Sequence, residues 1–494
     1  MLEPLPASKW NFSTAAHLLN RAGFGGSPEE IEKLAALGLE GAVASLVDYE
    51  RIPDPAVKPG WAQPDPERAT RFQAMRKASP EERRELQRME QRKQRERITE
   101  LRQWWLHRMA TGPRPLQEKL TLFWHGHFAT STEKVRDAYL MWRQNEIFRQ
   151  HASGSWLKLL TEVSKDPAML VWLDQAQSRK EHPNENFARE VMELFALGEG
   201  HYTEQDILEA ARALTGWTYD RMQQEFVYRD RLHDPGVKTV LGRSGRLTGD
   251  DVLAQIVSQP QSARFITAKL WSFFAAENPP EPLSNALAGA FTRSGMQFKP
   301  VLRQMFLSRE FYADNVVRNQ VKSPVQWLVS AVRMLERELP PAAISTNMTR
   351  ALGQDLFAPP NVKGWDGGLT WITTNNLLNR YNLAAVLVLG ENPLRMTSNR
   401  PNVRPAMNRR DRRDGRPNPQ VIAPIDVAKI LTPPERRDKM KLVAALEKRL
   451  LQAPLKEKQE KALLDYLDSQ GQLDDKDILH AIRLVMSTPE FQLT

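Results

Sequence analysis

The stretch Ser27-Pro28-Glu29-Glu30 contains the signals that begin an α-helix. The serine can accept a hydrogen bond from the backbone three residues later, proline suits the first helical turn, and the second glutamate completes a reciprocal capping box. Ser79-Pro80-Glu81-Glu82 repeats this arrangement. Further helix starts are found at Thr203-Glu-Gln-Asp206, Thr248-Gly-Asp-Asp251 and Ser323-Pro324. The chain is therefore predicted to be mainly α-helical.

Signals for β-strands are nearly missing from the sequence. Phe226-Val227-Tyr228 and the stretch 237–241 are short runs of strand-forming residues, and a polar turn with Pro and Gly separates them. We expect these two runs to pair with each other. The predicted fold is a large single body of many helices with at most one short β-hairpin.

The composition changes abruptly near residue 395. Residues 395–416 contain eight Arg and two Asp, which accounts for +6 of the total formal charge of +9, and they are rich in Pro and Asn. No aromatic residue that could stack on bases lies among the arginines, so a solvated linker is favoured over a nucleic-acid-binding arm. We predict a main helical domain over 1–394, an Arg- and Pro-rich flexible linker over 395–424, and a helical C-terminal segment over 425–494 that packs on the main domain.

The composition also excludes several kinds of chemistry. The chain has no cysteine, which excludes disulfides, thiolate nucleophiles and cysteine-based metal sites. Any metal ion would therefore need His, Asp or Glu as ligands. The N-terminus MLEPLPASKW lacks the apolar segment of a signal peptide, and the longest apolar stretch, 383–389, is too short to cross a membrane. We expect a soluble, cytoplasmic protein, and leave open that it is exported together with a partner.

The main group of candidate catalytic residues lies on one predicted helix. At helical spacing, Arg189 can reach Glu193 directly, whereas Glu190 needs a different partner. Two carboxylates in different surroundings acquire different pKa values, so that one can act as an acid and the other as a base. A surface helix with these side chains in water is the alternative. The candidates are Asn184, Glu185, Asn186, Arg189, Glu190 and Glu193.

His125 and His127 are candidate metal ligands. On a continuous helix their rings would point apart, so a shared metal ion requires the turn geometry that Gly126 permits. A buried histidine that donates to a carbonyl oxygen is the commoner outcome.

Two loops contain candidate substrate-binding residues. His233 and Asp234 lie in the turn between the two predicted strands, where an Asx turn with exposed charges is an equal alternative. Lys363 and Trp365 lie in a glycine-rich loop after Pro359-Pro360, and here the alternative is that Trp365 fills the core.

Seven blocks of sequence are similar to the signature blocks of the bacterial family catalogued as domain of unknown function 1800. They occur in the order of that family and cover nearly the whole chain. The chain departs from the family at Gly126, where asparagine is common, and at Phe195, where histidine is frequent. The blocks are His17-Leu-Leu-Asn-Arg-Ala-Gly-Phe-Gly25, Phe123-Trp-His-Gly-His-Phe128, Asn184-Glu-Asn-Phe-Ala-Arg-Glu190 with Gly198, Tyr202-Thr-Glu204, Ala211-Arg-Ala-Leu-Thr-Gly-Trp217, His233-Asp-Pro-Gly-Val-Lys238 and Pro359-Pro-Asn-Val-Lys-Gly-Trp365.

The resemblance itself implies no activity, but members of this family often occur beside a gene for a sulfatase-like companion protein. Our preferred hypothesis from the sequence is an enzyme of hydrolytic type, with a polar cavity to which His127, Glu190 and His233 contribute and with a divalent metal ion as a variant. The alternative is a non-catalytic binding protein or chaperone for the companion, because buried Arg–Glu networks can imitate active sites.

Overall fold

The capping motifs found in the sequence begin helices in the structure, a computed structural model that describes residues 2–390 and 422–494. Ser27 and Ser79 each accept a hydrogen bond from the backbone of the third helical residue, whose glutamate side chain accepts one in return. Thr203 and Thr248 form the same box with Asp206 and Asp251. The prediction of a mainly α-helical fold is confirmed.

The first half of the chain forms eleven α-helices, and a π-helix directly continues the last of them. These elements are α1 (Phe12–Ala22), α2 (Pro28–Ala36), α3 (Gly38–Val47), α4 (Arg68–Lys77), α5 (Pro80–Thr111), α6 (Pro115–His127), α7 (Thr132–Val135), α8 (Ala138–Gln150), α9 (Trp156–Lys165), α10 (Pro167–Trp172), α11 (Glu185–Glu190) and the π-helix Val191–Ala196.

The rest of the described chain contains four short strands and thirteen further α-helices. These elements are α12 (Glu204–Ala213), β1 (Trp217–Asp220), β2 (Glu225–Tyr228), β3 (Lys238–Val240), β4 (Arg243–Gly245), α13 (Gly249–Ser258), α14 (Pro260–Phe274), α15 (Glu281–Arg293), α16 (Phe298–Leu307), α17 (Pro324–Met334), α18 (Ala342–Ala351), α19 (Thr374–Leu389), α20 (Val427–Ile430), α21 (Pro433–Arg437), α22 (Lys439–Leu446) followed by the π-helix Glu447–Leu451, α23 (Glu457–Ser469) and α24 (Asp475–Met486).

The predicted pairing of 226–228 with 237–241 is wrong. β1 pairs with β2 and β3 pairs with β4, so each run forms its own antiparallel hairpin with a neighbouring strand. Local turns explain this choice. In the turn between β1 and β2, the side chain of Asp220 accepts hydrogen bonds from the backbone N–H groups of Met222 and Gln223. In the turn between β3 and β4, Leu241 and Gly242 both adopt positive φ, as a two-residue hairpin turn requires.

Residues after 421 pack against the helices of the main part of the chain. Arg449 donates to the carbonyl oxygen of Met334 at 3.0 Å and pairs with Glu336 at 2.6 Å. The rings of Trp327 and Phe491 meet edge to face in the same buried apolar cluster. Residues 395–421 of the predicted linker lie outside the described part of the chain. The predicted domain boundaries therefore stay a prediction.

None of the helices within 2–390 and 422–494 is both long and apolar enough to cross a lipid bilayer.

A buried glutamate ties α5, α6 and α8 together. Glu118 on α6 is 1% exposed and accepts hydrogen bonds from Trp105 at 2.9 Å, from Arg108 at 2.8 Å and from Arg149 at 2.8 Å. Burial alone would raise the pKa of Glu118, but the charges and hydrogen bonds of Arg149 and Arg108 outweigh burial and hold the pKa below its ordinary value. The network therefore fixes the orientation of α6.

We expect Glu118→Gln to lower the free energy of unfolding by about 3–5 kcal/mol, because the change leaves two buried arginines without their carboxylate. Urea unfolding of the wild type and the variant measures this loss. Glu96→Gln is the matched control, since Glu96 forms an exposed pair with Arg92 on α5 and should change stability by less than about 0.5 kcal/mol. Equal effects of the two substitutions would contradict the proposed importance of the buried network.

Candidate functional site

A large cavity lies between α6, α14 and the loop that follows residue 362. Its volume is about 1060 Å³. Three lysines and one histidine are among its lining residues, together with several amide side chains and two tryptophans. The lining residues include Lys119, Phe123, Gly126 and His127 from α6, Lys269 and Phe273 from α14, and Glu277, Asn319, Gln320, Gln326, Gln354, Lys363, Trp365, Asp366, Leu369 and Trp371.

The side chains of His125 and His127 are not placed to bind the same metal ion. Helix α6 continues through Gly126 to His127, so the turn geometry that a shared metal ion requires is not formed. His125 instead accepts a hydrogen bond from the backbone N–H of Phe357 at 3.0 Å, and burial lowers its pKa to about 3. Over the described ranges, no three His, Asp or Glu side chains are grouped so that they could hold a metal ion.

His127 lines the cavity as a neutral imidazole. Its Nε2 lies 2.9 Å from the carbonyl oxygen of Phe195, which can only accept, so Nε2 has the proton. Nδ1 is then an acceptor, and it is buried with no hydrogen-bond partner in the described residues. Burial and the charge of Lys269 lower the pKa of His127 well below its ordinary value. The ring therefore offers a free lone pair at neutral pH.

Lys119 has an apolar environment. It is 3% exposed, its ammonium lies over the rings of Phe24 and Phe273, and its hydrogen bond goes to the neutral amide of Gln326. Burial and the charge of Arg21 lower the pKa of Lys119 well below its ordinary value. No described carboxylate lies within 4.0 Å of its ammonium.

Lys269 is a second lysine without an acidic partner. Its ammonium lies over the ring of Phe265 and 3.5 Å from the carbonyl oxygen of Leu194. Burial lowers the pKa of Lys269 to about 8. As with Lys119, the part of the chain that the structure describes places no carboxylate within 4.0 Å.

The π-helix 191–196 positions both His127 and Lys269. The last carbonyl groups of a helix have no partner within that helix, and here the carbonyls of Leu194 and Phe195 accept from Lys269 and His127. The backbone N–H of Leu197 reaches back five residues to Met192 at 2.8 Å, which is the hydrogen bond of a π-helix. π-Helical turns occur frequently at functional sites, and the sequence contained no signal that we could use to predict this one.

The carboxylates of the predicted catalytic helix have different surroundings, as the sequence suggested. Glu193 accepts a hydrogen bond from the hydroxyl of Tyr202 at 2.9 Å. Burial and the charge of Glu193 raise the pKa of Glu190, against the opposing charges of Lys363 and Arg189. Glu190 is thus a half-buried acid that the charge of Lys363 influences, although Glu190 is not among the residues that line the cavity.

The expected pairing of Arg189 with Glu193 is wrong. Arg189 makes two parallel hydrogen bonds, at 2.8 and 2.7 Å, with Glu204 at the start of α12. This two-point geometry is stronger than a single contact along one helix, and Glu193 is already bonded to Tyr202. Arg189 therefore connects two helices.

Asn184, Asn186 and Glu185 lie at the start of α11. Asn184 caps the helix by accepting from the backbone of Asn186, and both asparagine side chains donate to the carbonyl oxygen of Leu173. Glu185 is exposed and lies 3.9 Å from Arg189. The two asparagines therefore anchor the start of α11 to the carbonyl oxygen of Leu173.

The structure places His233 and Asp234 in a turn with its own internal partners. His233 Nδ1 bonds the carbonyl oxygen of Thr215 at 3.0 Å, and Asp234 pairs with Arg212 at 2.7 Å. The ammonium of Lys238 donates to the carbonyl oxygens of Asp234 and Gly236. The cavity lining contains His127 but neither His233 nor Asp234, and it contains none of the candidate catalytic residues between 184 and 193, so the predicted site residues do not converge there.

Lys363 and Trp365 do line the cavity. Gly364 between them has φ +85°, and a Cβ atom there would lie 2.4 Å from the carbonyl oxygen of Gly126. Only glycine allows this close approach of the loop to α6. The contact brings the loop to the cavity, with Lys363 exposed and Trp365 half-buried.

Lys119 and Lys269 line the cavity but were not among the site residues predicted from the sequence. Each lies within a helix among apolar residues, in Leu116-Gln-Glu-Lys-Leu-Thr-Leu-Phe123 and in Ile266-Thr-Ala-Lys-Leu-Trp271. A lysine on the inward side of such a helix is the signal that would have found them.

We expect the amine of Lys269 to titrate near pH 8, whereas ordinary lysines titrate near 10.4. Competitive acetylation with acetic anhydride across a pH series, read by mass spectrometry, gives the titration midpoint of each lysine. Because folding lowers this pKa, the folded protein should gain stability from this group as the pH rises from about 8 toward the ordinary value. A midpoint for Lys269 at the ordinary value would contradict the described burial.

Comparison with known proteins gives a family and nothing more specific. No curated protein and no solved structure matched the chain. A family model described as "Protein of unknown function (DUF1800)" matches residues 17–493, which is nearly the whole sequence. The resemblance seen in the sequence blocks is thereby confirmed, and the chain belongs to this family.

Proposed function

We propose that the protein is a hydrolytic enzyme whose substrate is anionic and binds in the lysine-lined cavity. The observation behind this proposal is that Lys119 and Lys269 both line the cavity with no carboxylate partner among the described residues. Burying an uncompensated charge costs several kcal/mol, so protein interiors normally pair it. A ligand with negative charge would provide the missing partner.

A further cation lies behind the cavity wall. Arg21 is fully buried and donates to the carbonyl oxygen of Val316 and to the side chain of Asn319, which lines the cavity. Its Nε and Nη1 have no hydrogen-bond partner in the described chain. Burial lowers the pKa of Arg21 to about 9. Its charge therefore adds to the positive potential of the cavity.

The size and the lining of the cavity favour an organic anion over a simple ion. About 1060 Å³ is at the upper end of the range of small-molecule sites. The neutral amides of Asn319, Gln320, Gln326 and Gln354 line the cavity, and each already makes hydrogen bonds within the chain, which fixes its orientation. The acids that line the cavity, Glu277 and Asp366, are exposed and form no ion pair within 4.0 Å with the buried lysines.

One of the predicted residues, Glu190, is suited to transfer a proton. Glu190 does not itself line the cavity, but its pKa is raised and the charge of Lys363, which lines the cavity, acts on it, so we assign to Glu190 the exchange of a proton with a substrate or a water molecule. His127 Nδ1 is an acceptor with no partner among the described residues, but it is buried from water, so we assign it no part in proton transfer. In this proposal Glu190 is the general acid–base, and Lys119 and Lys269 stabilise the negative charge of the substrate.

We expect Glu190→Gln to leave the fold intact and to lower kcat by about 100-fold or more, because it removes the proton-transfer group. p-Nitrophenyl phosphate, sulfate and glucuronide are the anionic probes, and p-nitrophenyl acetate is the neutral one. Lys269→Met should raise KM for the anionic probes. Glu199→Gln, an exposed glutamate in the loop after the π-helix, is the matched control and should have the wild-type rate.

Two outcomes would count against the enzyme proposal. One is that none of the anionic probes is hydrolysed or raises the Tm of the wild type. The other is that Glu190→Gln lowers stability by about 1–3 kcal/mol, as expected for a structural partner of buried cations.

A binding role toward the sulfatase-like companion protein is a second candidate function, favoured by an exposed apolar surface. Leu369 at the cavity is 82% exposed, and Leu377, Leu378 and Tyr381 are exposed on one side of α19. Exposed apolar groups of this kind occur at interaction sites.

If the companion binds this surface, the two purified proteins should co-elute from a gel-filtration column, and Leu378→Glu should abolish co-elution because it buries a charge in the interface. Met89→Glu, on the exposed face of α5, is the control. Separate elution of the wild-type protein and its companion would contradict this second function.

A further inference from the structure

The side chain of Lys269 is reachable from the large cavity. Lys269 lines this cavity from α14 and is half-buried. Lys363 and Leu369 line the same cavity and are exposed, so the cavity opens to solvent. Its volume of about 1060 Å³ is large enough for an organic molecule. A small molecule in the cavity can therefore approach Nζ of Lys269.

Few contacts hold this amine in its protonated form. Nζ lies 3.5 Å from the carbonyl oxygen of Leu194, which is long for a hydrogen bond, and 4.8 Å from the ring centre of Phe265. Both groups are neutral, and no described carboxylate lies within 4.0 Å of Nζ. The ammonium form of Lys269 therefore lacks both a charged partner and the full hydration of a surface lysine.

A large part of Lys269 is a free amine near neutral pH, because burial lowers its pKa to about 8. An ordinary lysine has a pKa of about 10.4. At pH 7.4 the neutral fraction is then about a fifth for Lys269 and about one in a thousand for an ordinary lysine, a difference of roughly 200-fold. The neutral amine has the lone pair that attacks a carbonyl carbon.

The other buried lysines that we compared lack one of these properties. Lys119 lines the same cavity, but it is buried and its amine donates to Gln326. Lys322 has a pKa of about 7, but it is 2% exposed and is not among the described residues that line the large cavity. Lys269 combines a lowered pKa with access from the cavity.

We propose that Lys269 binds an aldehyde or a ketone covalently in the large cavity, as an imine. Nζ attacks the carbonyl carbon and gives up two protons, and the carbonyl oxygen leaves with them as water while the C=N bond forms. No oxidant, reductant or cofactor takes part. The protonated imine has one N–H and one positive charge, so the carbonyl oxygen of Leu194 and the ring of Phe265 suit it as they suit the ammonium.

This inference goes beyond the proposed hydrolysis and does not depend on it. Stabilising an anionic substrate uses the ammonium form of Lys269, whereas imine formation uses the amine form, and a pKa of about 8 populates both. A protonated imine withdraws electrons from the adjacent carbon atoms, which makes their hydrogens more acidic. The site would then activate carbonyl compounds at the position next to the carbonyl group.

The test exposes the full-length protein briefly to benzaldehyde at about pH 7.4 and then adds sodium borohydride, which reduces an imine to a stable secondary amine. Peptide mapping by mass spectrometry should find at least about 10-fold more benzyl label on Lys269 than on Lys158, an exposed lysine paired with Glu162. The α-amino group has a similar pKa and serves as the internal reference.

Two variants give a second measurement. Lys269→Arg keeps the positive charge but cannot form this imine, so the intact mass should show one label fewer per molecule than the wild type. Lys158→Arg is the matched control and should keep the label of the wild type. Mapping of the wild type needs no variant, so the test also covers the case in which Lys269→Arg does not fold.

Unfolding separates the effect of burial from the effect of local sequence. In guanidinium chloride, Lys269 should be labelled no more than Lys158, because the burial that lowers its pKa is lost. An even distribution of label over the lysines of the folded protein would overturn the proposal. Label concentrated on Lys119 or Lys322 instead of Lys269, or a folded Lys269→Arg that loses no label, would also overturn it.

Discussion

The hydrogen bonds between Glu118 and two arginines leave the neighbouring residue of α6, Lys119, without a carboxylate partner. Glu118 lies on the side of α6 that faces Arg108 and Arg149, and the next residue, Lys119, faces the large cavity. Because consecutive helical residues point in directions about 100° apart, the carboxylate cannot serve both sides. The acid nearest to Lys119 in sequence is thus fully engaged elsewhere, and the cavity lysine remains uncompensated.

Burying two lysines without carboxylate partners is expected to lower the free energy of unfolding, and it places two cationic groups at the cavity. Lys119 and Lys269 have lowered pKa values because their charged forms are poorly solvated. A protein under selection for stability alone would replace such lysines with apolar residues of similar size. Their presence at one cavity, beside a histidine with a free Nδ1, fits a site where ligand binding recovers the cost.

The helical class could be predicted because its signals are local. The capping boxes at Ser27 and Thr248 use contacts within four residues, which the sequence shows directly. The pairing of β1 with β2 was missed because it depends on the turn that Asp220 stabilises, although the residues of β2 were recognised. Sequence patterns identify elements more readily than they identify partners.

The candidate site was predicted in part, for a related reason. Lys363, Trp365 and His127 line the cavity, but none of the candidate catalytic residues between 184 and 193 does, and His233 is held by Thr215 in a separate turn. Sequence motifs draw attention to histidines, acids and glycine-rich loops. The lysines of the cavity are unusual only because they are buried, which lowers their pKa values. Burial depends on the packing of α6 against α14, and the spacing of residues in the sequence does not reveal that packing.

The same burial links the charge of a ligand to the protonation of the cavity. With the cavity free of anions, low solvation favours the neutral forms of His127 and Lys269. A bound anion favours the protonated forms, so it raises both pKa values and draws protons into the site. Lys269, whose pKa is about 8, changes its mean charge most readily near pH 8. Under the proposed function, binding would thus convert a partly neutral amine into a cation beside the substrate, where the proposed hydrolysis requires negative charge to be stabilised.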